Sequence, residues 1–151
     1  MSAALERAGA FEVRKVISPE EHELCVSIRM EVFCKGMGIS VDDELDKEDT
    51  AVHFLGLYYG RPVCTCRYRT LANDAVKLER VATLEAVRGQ GLGSILVASV
   101  LEALQNDGFK KIVITASCKA QAFYERLGFL AVGDVFEEVN ILCQKMVLTF
   151  P

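Results

Sequence analysis

The chain has 151 residues, of which 51% are hydrophobic and 25% are charged, and its formal net charge is −4. This composition is typical of one folded domain in water, and the acidic balance argues against a general nucleic-acid-binding surface. We expect a single domain over residues 1–151, with a flexible tail at residues 1–10 that lacks a signal-peptide pattern. No segment is apolar for the length of a membrane span, so the sequence predicts a cytoplasmic protein without a membrane partner.

Six cysteines are scattered through the predicted helices and strands, with no paired C-x-x-C unit. Buried free thiols that act as small hydrophobic groups are therefore the expected role. The two histidines, His22 and His53, are too few and too far apart in the sequence to suggest a ligand set. We expect no metal site.

The first half of the chain predicts one strand, one helix and a three-stranded meander. Alternating apolar residues indicate a strand over residues 11–17. Ser18 and Pro19 are typical of an N-cap and a first helical position, and the helix that follows has a predicted buried stripe of Leu24, Ile28 and Val32. Short turns separate three further strands, which we expect to pair antiparallel over residues 51–59, 61–71 and 75–83.

Between the helix and the meander lies an acidic segment, residues 41–49. Its carboxylates surround a single leucine and are Asp42, Asp43, Glu44, Asp46, Glu48 and Asp49. Such clusters are usually solvated surface, but carboxylates beside an active site would also attract a protonated amine, and the sequence leaves both interpretations open. A calcium loop is excluded because no glycine lies in the middle of the segment.

Two arginines, Arg67 and Arg69, lie two residues apart in the second strand of the meander and therefore on one face of the sheet. The next strand carries Lys77 and Glu79. Arginines on one face of a sheet usually point to solvent. If this face lines a cleft, however, they could hold a phosphate or carboxylate of a substrate.

A glycine loop, residues 88–94, follows the fourth strand and opens the next helix. Gly89, Gly91 and Gly93 allow the backbone to turn sharply and to direct several N–H groups at one anion. Arg88 adds a fork of donors suited to phosphate, and the helix adds its positive end. The spacing does not match the G-x-G-x-x-G of a dinucleotide fold, and the loop lacks the lysine of a P-loop. The glycine loop therefore predicts a site for another diphosphate.

The second half of the chain predicts a helix, a buried strand, a second helix and two closing strands. Apolar residues at helical spacing begin at Leu92, and Gly108 ends that helix. The later elements are expected over residues 111–115, 116–127, 129–136 and 141–150. This order of elements predicts an α/β fold with a mixed sheet and helices on both faces.

Two motifs resemble those of the GCN5-related N-acetyltransferase (GNAT) superfamily. The first is Arg88-x-x-Gly91-x-Gly93 between a strand and a helix, and the second is Ala120-Gln-Ala-Phe-Tyr-Glu-Arg-Leu-Gly-Phe129. Further segments are similar to the ElaA/YjcF-like branch, over residues 29–33, 44–53, 77–81 and 133–138. The resemblance covers the chain from about residue 11 onward. It implies the acyl-CoA N-acyltransferase fold, with a mostly antiparallel sheet of roughly six or seven strands and about four helices.

The resemblance implies direct transfer of acetyl from acetyl-CoA to a primary amine held in the same complex. The glycine loop would hold the diphosphate of coenzyme A through Arg88, Gly89, Gln90, Gly91, Leu92, Gly93 and Ser94. The pantetheine arm would lie along Val81, Ala82 and Thr83, where a backbone N–H would bind the thioester oxygen. Ser117 and Phe123 are also assigned to the cofactor.

Two residues are assigned to proton transfer. Tyr124 would stand near the departing sulfur and donate a proton to it, and Glu79 is the best-placed carboxylate to act as the general base. Three alternatives stay open: Tyr124 as a core residue, Glu79 as an ion-pair partner of Lys77 or Arg80, and water relayed to a backbone carbonyl as the base.

The fold alone does not determine which amine accepts the acetyl group. The predicted substrate-binding residues are Arg29, Arg67, Arg69, Lys77 and Glu79. Arginines beside Lys77 favour an amino-sugar phosphate such as D-glucosamine 6-phosphate, whereas the acidic segment favours a polyamine or an aminoglycoside. Protein amines are a further alternative, as is a domain that binds acyl-CoA without turnover. A homodimer is compatible with each of them.

Overall fold

A computed structural model describes residues 10–151 of the chain, so the predicted tail lies almost entirely outside the described residues. The strands are β1 Phe11–Lys15, β2 Val52–Tyr58, β3 Arg61–Thr70, β4 Ala75–Thr83, β5 Lys111–Ser117, β6 Leu130–Glu138 and β7 Ile141–Thr149. The α-helices are α1 Pro19–Arg29, α2 Val41–Glu44, α3 Leu92–Asn106 and α4 Gln121–Arg126. Within the described residues, no helix has the length and apolarity to cross a membrane.

The seven strands form one sheet in the order β1-β2-β3-β4-β5-β7-β6. Strands β4 and β5 pair in parallel, and every other neighbouring pair is antiparallel. The parallel pair needs a crossover, which α3 supplies between its two strands. The predicted mixed fold, with a mostly antiparallel sheet, is confirmed.

Helices cover both faces of the sheet. On one face, α3 buries Leu96 and Val100 in the larger hydrophobic cluster. On the other face, α1 packs Cys25 and Ile28 against β2. The predicted stripe of α1 is wrong at Leu24, which is 41% exposed because it lies beside the cleft described below.

The first predicted helix changes its winding after Arg29. A π-helical segment, Met30–Lys35, continues α1 toward Gly36. The sequence pattern did not predict this change, because apolar spacing alone does not distinguish the two kinds of helix over so few residues. Short π-helical segments are frequent at functional sites, and this one reaches the cleft through Phe33.

Strands β4 and β5 separate after a short paired stretch. Their pairing runs only from Ala75↔Lys111 to Lys77↔Val113, although β4 continues to Thr83 and β5 to Ser117. Arg80 has a left-handed φ of 58°, and the register with β3 shifts beside it, which identifies a β-bulge. A bulge increases the local twist and turns β4 away from β5. We call the opening between the unpaired parts of these two strands the split.

Candidate active site

The split opens into a cleft of about 1870 Å³. Its walls come from the end of β4, the glycine loop, the start of α4 and the π-helical segment. Among the residues assigned to the cofactor, the cleft is lined by Val81, Ala82, Thr83, Arg88, Gly89, Gly91, Leu92, Gly93, Ser94, Ser117 and Phe123. Gln90 is not among the lining residues, and its Oε1 accepts a hydrogen bond from the Tyr58 hydroxyl at 3.2 Å.

The glycine loop has the backbone that an anion site requires. Gly89 and Gly91 have φ values of 84° and 79°, in the left-handed region that glycine adopts without strain. No side chain caps α3 at its Gly91 N-cap, so the first N–H groups of the helix are not satisfied by a cap. A Cβ added at Gly93 would lie 3.3 Å from Thr83 Oγ1, so a glycine allows this turn to pack closely on β4.

Cations border the glycine loop. Arg88 Nε donates to Thr83 O at 2.9 Å, and its terminal N–H groups have no partner among the described residues. Lys119 and Arg126, which the sequence analysis did not assign, also line the cleft. Lys119 comes directly before the second motif and Arg126 lies within it. Their position in the sequence could therefore have identified them as residues of the site. Three cationic side chains of the cleft are therefore available to a diphosphate.

The edge of β4 presents backbone amides to the split. Leu84 N–H donates to Val63 O of β3 at 2.9 Å. Because successive amides of a strand point to opposite edges, the amides of Val81 and Thr83 face the split. No β5 residue pairs with them. These are the groups assigned to the pantetheine arm and the thioester oxygen.

A second cavity of about 270 Å³, the side pocket, joins the cleft. Five residues line both cavities: Phe33, Met37, Val81, Ser117 and Ala120. The polar lining of the side pocket includes Glu44, Lys77, Glu79, Arg80, Tyr124 and Glu138. The structure therefore brings Tyr124 of α4 together with Lys77 and Glu79 of β4.

Tyr124 lies in the side pocket and is largely buried between Phe123 and Phe129, with ring centroids at 4.9 and 5.7 Å. Burial raises the pKa of its phenol well above the ordinary value. The hydroxyl is therefore protonated at neutral pH, as a proton donor must be. Its assignment to the departing sulfur stays a prediction.

Glu79 is held by two arginines. Its Oε1 accepts from Arg69 Nε at 2.7 Å and from Arg67 Nε at 3.1 Å. Burial alone would raise the pKa of Glu79, but the Arg69 hydrogen bond and the nearby positive charges outweigh it and lower the pKa. A carboxylate with a lowered pKa is a weak base, so the structure argues against Glu79 as the general base.

Burial contradicts the expectation that Arg29 and Arg67 contact an acceptor. Arg29 is 0% exposed and Arg67 is 1% exposed, and neither lines a cavity. Arg29 donates to Glu44 Oε1 and Glu48 Oε1, each at 2.7 Å. Arg69 also lies outside both cavities, with its Nε bound to Glu79. Arg67 and Arg69 lie on one face of the sheet, as the alternation in β3 predicts, but the acidic segment covers that face.

The acidic segment is thus only partly solvated. Glu44 and Glu48 fold inward onto the arginines, whereas Asp42, Asp43 and Asp46 are exposed. Arg80 holds the same segment from β4, because its Nε and Nη2 donate to the backbone oxygens of Glu44 and Asp43 at 3.2 and 3.0 Å. The acidic segment therefore braces the bulge of β4.

The two histidines meet at Glu48, although the sequence analysis judged them too distant to act together. His53 Nε2 lies 3.0 Å and His22 Nε2 lies 3.7 Å from Glu48 Oε1. The same oxygen also contacts Arg29 and Arg67, at 2.7 and 3.4 Å. Two guanidinium charges on this oxygen oppose a bound cation, so we interpret the group as an ion-pair network.

Lys77 and Arg80 are the cations that reach the side pocket. Lys77 has no ion-pair partner within residues 10–151 as described, whereas Arg80 is engaged with the acidic segment. Lys77 is one of the predicted substrate-binding residues, whereas Arg80 is not. Only the left-handed conformation at the bulge directs Arg80 here, and no pattern in the sequence signals it.

Comparison with known proteins agrees with this geometry. The acetyltransferase (GNAT) domain family matches residues 17–150. A Bacillus subtilis (strain 168) protein named for acetyltransferase activity is 30% identical over 130 residues, which cover 83% of this chain and 88% of that protein. Among solved structures, an N-acetyltransferase of Lactobacillus plantarum has a TM-score of 0.87 at 27% identity, covering 93% of this chain and 98% of that one. Escherichia coli ElaA has a TM-score of 0.80 at 25% identity, with 91% and 98% covered.

Replacing Arg88 tests the cofactor side of the cleft. We expect Arg88→Glu to weaken coenzyme A binding by about 10- to 100-fold, because it removes a charge-assisted hydrogen bond and repels the diphosphate. Isothermal titration calorimetry measures the change. Arg61→Glu, at an exposed arginine that lines neither cavity, is the matched control and should bind as wild type does. Equal affinity of both variants would contradict the assignment.

Replacing Glu48 tests the ion-pair network. Burial would raise the pKa of Glu48, but hydrogen bonds from His53 and Arg29 outweigh it and hold the pKa well below its usual range. The carboxylate therefore stabilises the fold above the unfolded-state pKa, and this contribution is lost as the pH falls. At pH 7, Glu48→Gln should lower the free energy of unfolding by about 3 kcal/mol.

Urea unfolding at several pH values measures this change. The difference between Glu48→Gln and wild type should shrink as the pH falls from about 5 to about 3. Asp42→Asn makes the same chemical change at an exposed position of the acidic segment and should stay within about 0.5 kcal/mol of wild type. A Glu48→Gln difference that is zero at pH 7, or independent of pH, would contradict the network.

Proposed function

The chain belongs to the acetyltransferase (GNAT) family and is an acetyl-CoA-dependent N-acetyltransferase, and from this premise we propose that its acceptor is a small amine bound in the side pocket. The observation that carries the proposal is the junction of the two cavities at the split. A thioester along β4 and an amine in the side pocket would meet there, at the five shared residues. Such positioning of two reactants supplies much of an enzyme's acceleration.

We assign cofactor binding to the two features that face the cleft. The N–H groups of the glycine loop would bind the diphosphate, with Arg88, Lys119 and Arg126 balancing its charge. The free amides of Val81 and Thr83 would lie along the pantetheine arm and donate hydrogen bonds to it. One of them would bind the thioester oxygen as its negative charge develops.

The reaction begins when the acceptor ammonium loses a proton to water in the side pocket, which a backbone carbonyl holds by a hydrogen bond and which passes the proton on to bulk solvent. The neutral nitrogen then attacks the thioester carbon, and the carbonyl electrons move to the oxygen. Collapse of this intermediate breaks the C–S bond and forms the amide after the nitrogen loses a second proton. The departing sulfur takes a proton from the Tyr124 hydroxyl, which is regenerated from solvent.

The charges around the side pocket favour an acceptor that carries an anionic group as well as an amine. Of its three carboxylates, those of Glu44 and Glu79 are already neutralised by arginines, and the third, on the exposed Glu138, is available to the amine. Lys77 is left without an ion-pair partner in the part of the chain that the structure describes. Our specific proposal is an amino-sugar phosphate such as D-glucosamine 6-phosphate, with its phosphate on Lys77.

The edge strand β6 supports assembly into a homodimer. Exposed apolar side chains that line neither cavity are concentrated on β6 and the start of β7, at Leu130, Val132, Val135, Phe136 and Leu142. An unpaired, apolar edge strand is a surface that a second strand can cover.

The role of Tyr124 is tested by removing its hydroxyl. We expect Tyr124→Phe to lower kcat about tenfold or more, because a thiolate leaves with little help but still gains from a donated proton. Steady-state release of free coenzyme A thiol measures kcat. Tyr59→Phe makes the same change at an exposed tyrosine outside both cavities and should retain wild-type kcat. Wild-type kcat in Tyr124→Phe would remove the tyrosine from the mechanism.

The acceptor is tested by thiol release over a panel of D-glucosamine 6-phosphate, phosphoethanolamine, spermidine, kanamycin and a lysine peptide. We expect turnover to be best with D-glucosamine 6-phosphate. Lys77→Glu should raise the KM for this acceptor by about tenfold, which is about 1.4 kcal/mol, and leave the KM for acetyl-CoA unchanged.

The matched control for Lys77→Glu is Lys15→Glu, at an exposed lysine that lines neither cavity. Best turnover of spermidine or kanamycin, or of the lysine peptide, would replace the amino-sugar phosphate with that amine class. Amine-independent binding of coenzyme A with no thiol release from any amine would contradict the proposed transfer.

A further inference from the structure

The hairpin between β6 and β7 holds a valine in a conformation that valine rarely adopts. Glu138 pairs with Ile141, so only Val139 and Asn140 form the turn. Their φ values are 49° and 62°, which is the left-handed pair of a type I′ turn. Asparagine suits this region, but a β-branched side chain there is a genuine outlier.

Val139 differs from the other left-handed residues in its side chain. Apart from glycine, those in the described chain are Lys47, Tyr59, Asn73, Asp74, Arg80, Val139 and Asn140, and Val139 alone among them is β-branched. Packing does not compensate for the strain, because Val139 is 49% exposed. Strain that the fold does not require is most often retained at functional sites.

Val139 lines the side pocket, next to Glu138 and in the same cavity as Lys77 and Tyr124. We propose that Val139 is a specificity-determining residue that contacts the body of the acceptor. This inference rests on the proposed function, because it needs the side pocket to hold the acceptor.

The chemistry of the lining indicates which part of the acceptor Val139 contacts. Apolar side chains form one part of the lining: Phe33, Met37, Ile39, Val139 and Ile141. The charged part includes Lys77 and Arg80. An acceptor that fits both parts has a C–H-rich body between its amine and its anionic group, as the ring of an amino-sugar phosphate does. An amine and a phosphate joined by two carbons alone would leave Val139 without a contact.

Val139→Ala and Val139→Gly test the inference, with Val135→Ala as the matched control. Val135 is also an exposed valine of the same hairpin, on β6, but it lines neither cavity. Thiol release is measured with D-glucosamine 6-phosphate, or with whichever ring-bearing amine of the panel has the highest kcat/KM, and with phosphoethanolamine. Both Val139 variants should raise the KM for the ring-bearing acceptor about fivefold.

The KM values for phosphoethanolamine and acetyl-CoA should not change, and Val135→Ala should behave as wild type. Val139→Gly should also raise Tm by about 2–4 °C because it relieves the strain, which shows that its loss of affinity is not a loss of folding. An unchanged KM for the ring-bearing acceptor, or an equal rise for phosphoethanolamine, would overturn the inference and leave the proposed function standing. Absence of turnover in the wild type with every amine would overturn both.

Discussion

The separation of β4 from β5 is the constraint on which the rest of the site depends. The two strands pair in parallel for three residue pairs and then part at a bulge, where Arg80 adopts a left-handed backbone. The parting leaves backbone N–H groups of β4 without a strand partner, and an unpaired amide in a protein interior is costly unless something binds it. A ligand with a polar, extended arm satisfies that requirement. The cleft, the side pocket and their junction all follow from this one opening.

The acidic segment maintains the opening. Arg80 is tied to the backbone of Asp43 and Glu44, and Glu44 is tied in turn to Arg29 on α1. Removing several charges from water carries a large desolvation cost, so a network of this kind contributes less to stability than its short distances suggest. Its clearer role is geometric. It fixes the bulge, and with it the direction of the free edge of β4.

The sequence predicted the parts of the fold and site that depend on local pattern. Strand alternation, helix signals and the spacing of Gly89, Gly91 and Gly93 are local, and the structure has a sheet, helices and a left-handed turn at those places. Tyr124 was assigned because residues 120–129 resemble a family motif. The burial of side chains was harder to predict. The alternation in β3 placed Arg67 and Arg69 on one face of the sheet, but it could not show that the acidic segment covers that face.

Contacts between distant segments were likewise beyond the sequence. His22 and His53 lie on different elements and converge only because the acidic segment brings Glu48 between them. The role of Arg80 depends on a bulge in the pairing of β3 with β4, and no residue pattern in β4 signals that bulge. The resemblance to a family identified the reaction, but the acceptor is determined by these long-range contacts.

A crystal structure of the protein with coenzyme A would show whether the split between β4 and β5 holds the cofactor. We expect diphosphate oxygens within hydrogen-bond distance of the N–H groups of residues 89–94, and a pantetheine arm along residues 81–83. Coenzyme A bound elsewhere on the protein, with β4 and β5 free of it, would show that the split is not the cofactor site.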